Sequence, residues 1–290
     1  MQCRVPPGAR GAAVSAGSGE VPPDGRASPP GEGFETRRAP GGAVLILRRG
    51  LASRLPAEVL DDPEKLLEER GEAGAGRGAL ARIAPEGGPG LVLKKYRHGG
   101  VLRAVLPEIF LGTRRMLDDL AASERARASG VPCAAVAGLV LSRRAGPLWE
   151  GYLLTEEIPD AVTLDRALPG GGADLAAAAV RTVRRLHDAG VLHRDLNLRN
   201  LLVRGAEVFV IDLDGARLVA SPTPTQRFAN LSRLDRSYVK IFRDEGPLSH
   251  EDRRALLDVY AARDEAMRRE MEGRIAAHKR SVSRHRRLWK

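Results

Sequence analysis

The segment "HRDLNLRN" (His193–Asn200) constrains the fold of this 290-residue chain more than any other. It follows the clearest amphipathic run in the sequence, "DLAAAAVRTVRRLHDAG" (174–190), and it precedes the aliphatic run "LLV" and then "VFVIDLDG" (208–215). Asp174 reads as the N-cap of that run, because its carboxylate can accept from the first free helix N–H groups, and Gly190 reads as its C-terminal stop. The order is helix, loop, and then an aliphatic strand that ends in acids. Asn200 stands five residues after Asp195, and Asp212 twelve after Asn200. Oxygen donors at the ordered ends of elements suit Mg²⁺, which takes one or two protein carboxylates and fills its other positions with phosphate oxygens and water.

The rest of the chain divides around this segment. Residues 1–40 are rich in Pro, Gly, Ala and Ser and show no apolar periodicity, so they read as a disordered tail. "AVLILRR" (43–49) reads as a first strand, Asp62–Leu67 as a short helix or turn, and "GEAGAGRG" (71–78) as a Gly-rich turn. Strands follow around Ala79–Ala84 and at 91–96 as antiparallel neighbours. In 106–129, Met116, Leu117, Leu120 and Ala121 recur at helical spacing, and Gly130 and Pro132 end the helix. Two strands are expected in 134–158 around "RRAGP", and "TLDRAL" reads as the start of a small helix. From 225 onward the chain looks helical. The pattern predicts an α+β protein with a small antiparallel-sheet lobe over 41–158, a mainly helical lobe over 159–277 and a basic tail over 278–290.

Composition narrows the function classes. Aromatic residues make up only 4% of the chain and hydrophobic residues 43%, so the core must be built from Leu, Val, Ala and Ile. The net charge of +10 suits polyanionic partners: nucleotides, nucleic acid or an acidic membrane surface. A nucleic-acid binder would account for the charge but not for the ordered acids and amide, so no nucleic-acid partner is expected. The two cysteines, Cys3 and Cys133, have neither zinc nor disulfide spacing. No apolar run approaches the ~20 residues of a membrane span. The longest candidate, "VPCAAVAGLVL" (131–141), is too short and carries a proline. The N-terminus lacks the apolar segment of a secretory signal. The expectation is a soluble or membrane-peripheral protein on the cytoplasmic side.

Four features line up in the order that kinase-type phosphoryl transfer uses. The Gly-rich turn, Gly74, Gly76 and Gly78, can bring backbone N–H groups close to phosphate oxygens. "LVLKK" (91–95) ends an apolar strand in lysines; alternation puts Lys94 and Lys95 on opposite faces, and Lys94 has the register of a phosphate-binding lysine. In "HRDLNLRN", Asp195 would accept the attacking hydroxyl's proton and Asn200 would turn back toward a metal ion, with His193 a structural loop residue. Asp212 stands where the metal-binding acid of such chemistry belongs, and Asp214 follows it.

The chain resembles the protein-kinase-like superfamily from about residue 60 to 240. It departs from protein kinases in Asn197, in place of the usual lysine, and in lacking an Ala-Pro-Glu motif. "VLKKYRHGG", "HRDLNLRNLLV", "VFVIDLDGAR" and "NLSRLDRS" together are similar to the bacterial lipopolysaccharide kinase family, in particular its branch acting on 3-deoxy-D-manno-octulosonic acid (Kdo). That resemblance implies transfer of the ATP γ-phosphate to a sugar hydroxyl of the lipopolysaccharide inner core, the 4-OH of lipid-linked Kdo, on the cytoplasmic face of the inner membrane. It implies Asp195 as base, Asn200 and Asp212 as Mg²⁺ ligands, Lys94 and the Gly-rich turn on the phosphates, and a hinge at Glu156–Ile158 against the adenine. The helix carboxylate paired with Lys94 would be Asp119, with Glu124 as the alternative. Arg199 and Arg97 are candidates for the charge that a lysine at position 197 would bring. The basic end 278–290, with Trp289, suits an anionic membrane surface. The other reading of the same fold is a phosphotransferase acting on a protein Ser/Thr or a small alcohol; the absent Ala-Pro-Glu segment weighs against the protein version.

Overall fold

The computed structural model describes residues 33–39, 41–73, 79–98, 108–243, 245–262 and 264–274. Its first half is an antiparallel sheet. The strands in chain order are β1 Phe34–Arg38, β2 Val44–Arg48, β3 Glu72–Ala73, β4 Ala79–Ile83, β5 Leu91–Lys95, β6 Phe110–Leu111, β7 Val136–Ala145 and β8 Leu148–Glu156. They lie side by side in the order β1-β2-β7-β8-β5-β4-β3, with β6 on β8. The long hairpin β7–β8 forms the middle, and β5 joins it with Leu91 opposite Glu156 and Lys95 opposite Tyr152.

Alternation along β5 gives each face its own cover. Leu91 and Leu93 point toward helices α1 Ala57–Asp61 and α2 Pro63–Arg70, where Val59, Leu66 and Leu67 are buried with them. Tyr96 points to the opposite face, which helix α3 Arg114–Ala128 covers with Met116, Leu117 and Leu120. Helix and sheet approach closely at Gly151, where a Cβ would lie 2.8 Å from the Met116 methyl. The far half of α3 leaves the sheet: Ala122 and Ala126 are buried in the core of the helical lobe. This one helix therefore packs against both lobes.

The second lobe contains β9 Val162–Thr163, α4 Leu164–Asp188, β10 Val191–Leu192, β11 Leu201–Arg204, β12 Glu207–Val210, β13 Arg217–Leu218, α5 Pro224–Phe242 and α6 His250–Ala261. Helix α4 breaks at Gly172 (φ 52°, ψ −144°), two residues before Asp174, where the sequence pattern starts its longer helix. Gly190 has φ 80°, and a Cβ there would lie 2.3 Å from the Val219 carbonyl oxygen, so only glycine fits this exit from α4. α5 and α6 open with full capping boxes, Thr223 with Gln226 and Ser249 with Asp252.

Several expectations are corrected. The tail expected over 1–40 is not disordered throughout: Phe34–Arg38 is a strand paired along its length with β2, and Phe34 is buried. The sheet supplies backbone partners that composition does not reveal; residues 1–32 lie outside those described. The helix expected over 106–129 begins only at Arg114, because Phe110–Leu111 pairs with β8 instead. Ala121 is exposed, and Ala122 takes its place in the buried face. The acid-ended strand of 207–214 stops at Val210. Gly74, Gly76, Gly78 and the basic end 278–290 lie outside the described residues.

Candidate active site

The spacing of Asn200 and Asp212 is the length of one hairpin. β11 and β12 pair with Leu201 opposite Val210 and Arg204 opposite Glu207, closed by Gly205 and Ala206. One step beyond the ladder, the Ile211 N–H donates to the Asn200 carbonyl at 3.0 Å. Asn200 and Asp212 thus emerge from the same end of one hairpin. The chain then turns sharply: Asp212 has φ 59° and Gly215 φ 69°, and the Ala216 N–H donates to the Leu213 carbonyl at 2.8 Å.

Asp195 precedes this hairpin in a loop fastened by buried polar groups. The His193 ring is buried between two backbone groups: its Nδ1 accepts the Asp195 N–H at 3.1 Å, and its Nε2 lies 3.1 Å from the Ile211 carbonyl. A backbone donor at Nδ1 requires the proton on Nε2, so the ring is neutral and donates to Ile211. Burial, foremost, holds its pKa below the usual value. His193 is therefore a structural residue, as its motif suggested. The His193 N–H donates to the Asn230 side-chain carbonyl at 3.0 Å, which ties the loop to α5. The Asp195 side chain itself is exposed.

The two asparagines converge on one atom. Asn200 Nδ2 donates to the Asp195 carbonyl at 2.8 Å, and Asn197 Nδ2 donates to the same oxygen at 3.0 Å. Asn197 Oδ1 accepts from the N–H groups of Arg199 and Asn200 at 2.9 and 3.2 Å, capping the 3-10 turn Leu198–Asn200. The residue in the lysine's place is thus the cap of the turn that holds Asp195 and Asn200 in register. Neither arginine considered as a replacement charge is aimed at the site alone: Arg199 pairs with Asp165 at 3.1 Å and Arg97 with Glu108 at 2.6 Å.

From the sheet lobe, Lys94 reaches across to Asp212, with Nζ 2.5 Å from Oδ1. Burial acts against both charges, but each offsets it for the other: the lysine is held above its ordinary pKa and the aspartate below its own. Asp119 does not make the expected ion pair with Lys94. It accepts the Tyr96 hydroxyl at 2.6 Å and is almost wholly buried, and burial, helped by Asp214 and Asp212, pushes its pKa up to about 7. Tyr96, two residues beyond Lys94 on the same strand face, takes the Asp119 Oδ2, while Oδ1 is buried without a hydrogen-bond partner among the described residues. Glu124 is excluded as well, since it pairs with Arg48 at 2.5 Å.

The segment expected as the hinge, Glu156–Ile158, leaves the end of β8. The Glu156 N–H donates to the Ala135 carbonyl and the Glu157 N–H to the Gly90 carbonyl, both at 2.8 Å. Ile158, half-buried, lies just past the end of β8. Three contributors escaped the sequence reading: Tyr96, Arg115 and Asn230. Strand alternation from Lys94 would have found Tyr96. Arg115, one helical turn before Asp119 on the same face of α3, meets Asp214 with Nε and Nη2 at 2.7 and 2.6 Å.

A profile of the lipopolysaccharide kinase (Kdo/WaaP) family matches residues 61–260. The chain is 33% identical over 179 residues to the 3-deoxy-D-manno-octulosonic acid kinase of Photobacterium profundum, a match that covers 57% of this chain and 71% of the relative. It is 30% identical over 194 residues to the enzyme of that name from Stenotrophomonas maltophilia, covering 60% and 75%. A solved structure described as WaaP in complex with acyl carrier protein superposes with a TM-score of 0.56 at 21% identity, over 83% of this chain and 98% of the other. That likeness establishes a kinase-like two-lobed fold.

Proposed function

Because the chain belongs to the lipopolysaccharide kinase (Kdo/WaaP) family, and is with it a phosphotransferase acting on a sugar hydroxyl, we propose that it transfers the γ-phosphate of ATP to the 4-hydroxyl of lipid-linked Kdo. In this reading Asp195 accepts the proton of the acceptor hydroxyl as its oxygen attacks the γ-phosphorus, and ADP leaves on the opposite side. The exposed carboxylate suits that task, and the two asparagine bonds to its carbonyl fix the backbone that aims it.

Asn200 and Asp212 would hold Mg²⁺. The fit is good: Asn200 uses its Nδ2 on Asp195, which leaves Oδ1 as its donor atom for a metal, and Asp212 is held ionised. Two oxygen donors of this kind are the usual protein share of a Mg²⁺ site. When bound, the ion would offset charge on the phosphate oxygens. Lys94 would exchange Asp212 for the nucleotide phosphates, and the hinge edge at Glu156 and Ile158 would face the adenine. Asp119 would stand behind Lys94 and add to the field at its ammonium without bonding it.

The observation that carries this reading is the meeting of Lys94 with Asp212, beside Asn200 and Asp195, from two lobes of the fold. A lipid-linked acceptor sets the reaction at the cytoplasmic face of the inner membrane, and the net charge of +10 favours an anionic surface there. Among the described residues no helix is long and apolar enough to cross a membrane. The test is transfer of labelled γ-phosphate from ATP to lipid-linked Kdo, free sugars and protein side by side. Labelling of the Kdo lipid alone is expected, and Asp195→Ala should lower it by on the order of 10²–10⁴-fold while nucleotide binding persists. Labelling only of protein or free sugars, or undiminished turnover in the variant, would refute it.

A further inference from the structure

Asp214 stands two residues beyond Asp212, so both acids look available to a metal ion. The contacts assign Asp214 a different task. Both of its carboxylate oxygens are engaged by Arg115, Nε to Oδ1 at 2.7 Å and Nη2 to Oδ2 at 2.6 Å, the parallel fork that makes arginine–carboxylate pairs strong and directional. The pair is largely enclosed, with side-chain exposures of 24% for Arg115 and 15% for Asp214. The guanidinium is itself held in place. Nη2 also donates to the Arg97 carbonyl at 3.3 Å, and its carbon lies 5.1 Å from the centre of the buried Phe110 ring, which pairs through its backbone with β8.

The loop so gripped is the one that most needs fixing. Asp212 adopts a left-handed conformation that few residues other than glycine take up, and such a conformation persists only where the surroundings determine it. Leu213, between the two acids, is buried in the core of the helical lobe. The turn is therefore pinned at Leu213 from below and at Asp214 from above. Meanwhile Asp119, one turn along α3, is taken by Tyr96 and makes no bond to Lys94. The bonded link between α3 and the loop that carries Asp212 runs through Arg115 instead.

We propose that Arg115 is the positioning residue of the metal site: by gripping Asp214 it lets helix α3 set the turn that presents Asp212, and it leaves Asp212 as the one carboxylate of the pair that meets the cation. The proposal rests on the reading of Asp212 as a metal ligand.

Calorimetric binding of ATP, with and without Mg²⁺, to the full chain tests it without an acceptor. Arg115→Met and Asp214→Asn should each weaken binding of Mg-ATP about tenfold, the scale of a lost charge-assisted hydrogen bond. Affinity for ATP without the metal should stay as in the parent. The double variant should be no worse than either single one, since both break the same pair. Arg115→Lys, which keeps the charge but not the fork, should fall between. The proposal is overturned if Asp214→Asn loses the Mg²⁺ effect as fully as Asp212→Asn while Arg115→Met keeps it, for Asp214 would then be a ligand. It is equally overturned if the two losses add, or if Arg115→Met loses metal-free ATP binding to the same degree, which would mark a general structural role. Should Asp212→Asn itself leave the Mg²⁺ effect intact, the fault lies with the reading of the metal site, a distinguishable result.

Discussion

Lys94 and Lys95 are neighbours on one strand and face opposite sides of one sheet. Lys94 looks into the cleft, and its counter-charge, Asp212, comes from the other lobe. Lys95 is buried on the far side among Glu64, Glu108 at 2.7 Å and Glu150 at 3.9 Å, all from the sheet lobe. Tyr152 donates its hydroxyl to Glu64, and Arg144 pairs with Glu150 at 2.5 Å, so that cluster is closed on itself. The contrast separates two uses of one side chain. A lysine whose partners share its lobe contributes to that lobe's stability. A lysine whose partner sits across a cleft can exchange it for a ligand at little cost to the fold.

The largest effect should come from Lys94→Met. Turnover should fall by on the order of 10²–10³-fold, the scale of losing one preorganised electrostatic contact to a reacting group. Asp212, 37% exposed, can be rehydrated, so unfolding free energy should move by no more than ~1 kcal/mol. Turnover within a few-fold of the parent, measured alongside Tm, would break the comparison.

Lys95→Met should do the reverse. It leaves three glutamates short of a cation, and a cost of about 2–3 kcal/mol is expected, below the ~3–5 of a dry pair because Glu64 and Glu108 keep some water. Turnover per folded molecule should change less than about twofold, as for a site outside the chemistry. The pH dependence carries a sign. Burial raises the pKa of Glu64 and Glu108, but Lys95 and their other partners more than offset it, so both are held below the usual value. Their stabilisation is present above the ordinary carboxylate range and is lost as pH falls through the lowered values. Urea midpoints below about pH 4.5 should therefore fall more steeply in the parent than in the variant.

That Lys94 and Lys95 face opposite sides was legible because period-two alternation is a backbone property that survives any tertiary context, while the choice of Lys94 for the site came from its register as a phosphate-binding lysine. The twelve-residue spacing of Asn200 and Asp212 stood in the sequence, but that one hairpin brings them to the same end came only from the fold. Partner choice was not legible either. Asp119 lies on the helix face toward Lys94, and only the packing of α3 over Gly151 brings Tyr96 within reach of it first. Arg115 among 47 lysines and arginines carries no mark in composition. β1 was hidden because "FETRR" is stabilised by β2 and not by any local pattern.

Asp119 supplies the finest test, since it lies on the Lys94 side yet makes no ion pair there. Were it the partner of Lys94, its pKa would lie low; burial instead pushes it up to about 7. A raised acid binds its proton more tightly in the folded state, so its contribution to stability falls as pH rises from the unfolded value toward the folded one. Asp119→Asn keeps the shape and an oxygen for the Tyr96 hydroxyl while removing that titration. Between pH 6 and pH 8 the variant should gain about 1 kcal/mol on the parent. His187, held neutral by burial with its pKa lowered to about 4, changes stability in the opposite sense, but it does so below its ordinary value of 6.5 and equally in both proteins. Urea unfolding at the two pH values measures the difference. A variant that instead loses ground as pH rises would show Asp119 ionised against Lys94, and the division between a lysine with a cross-cleft partner and one with partners in its own lobe would no longer hold.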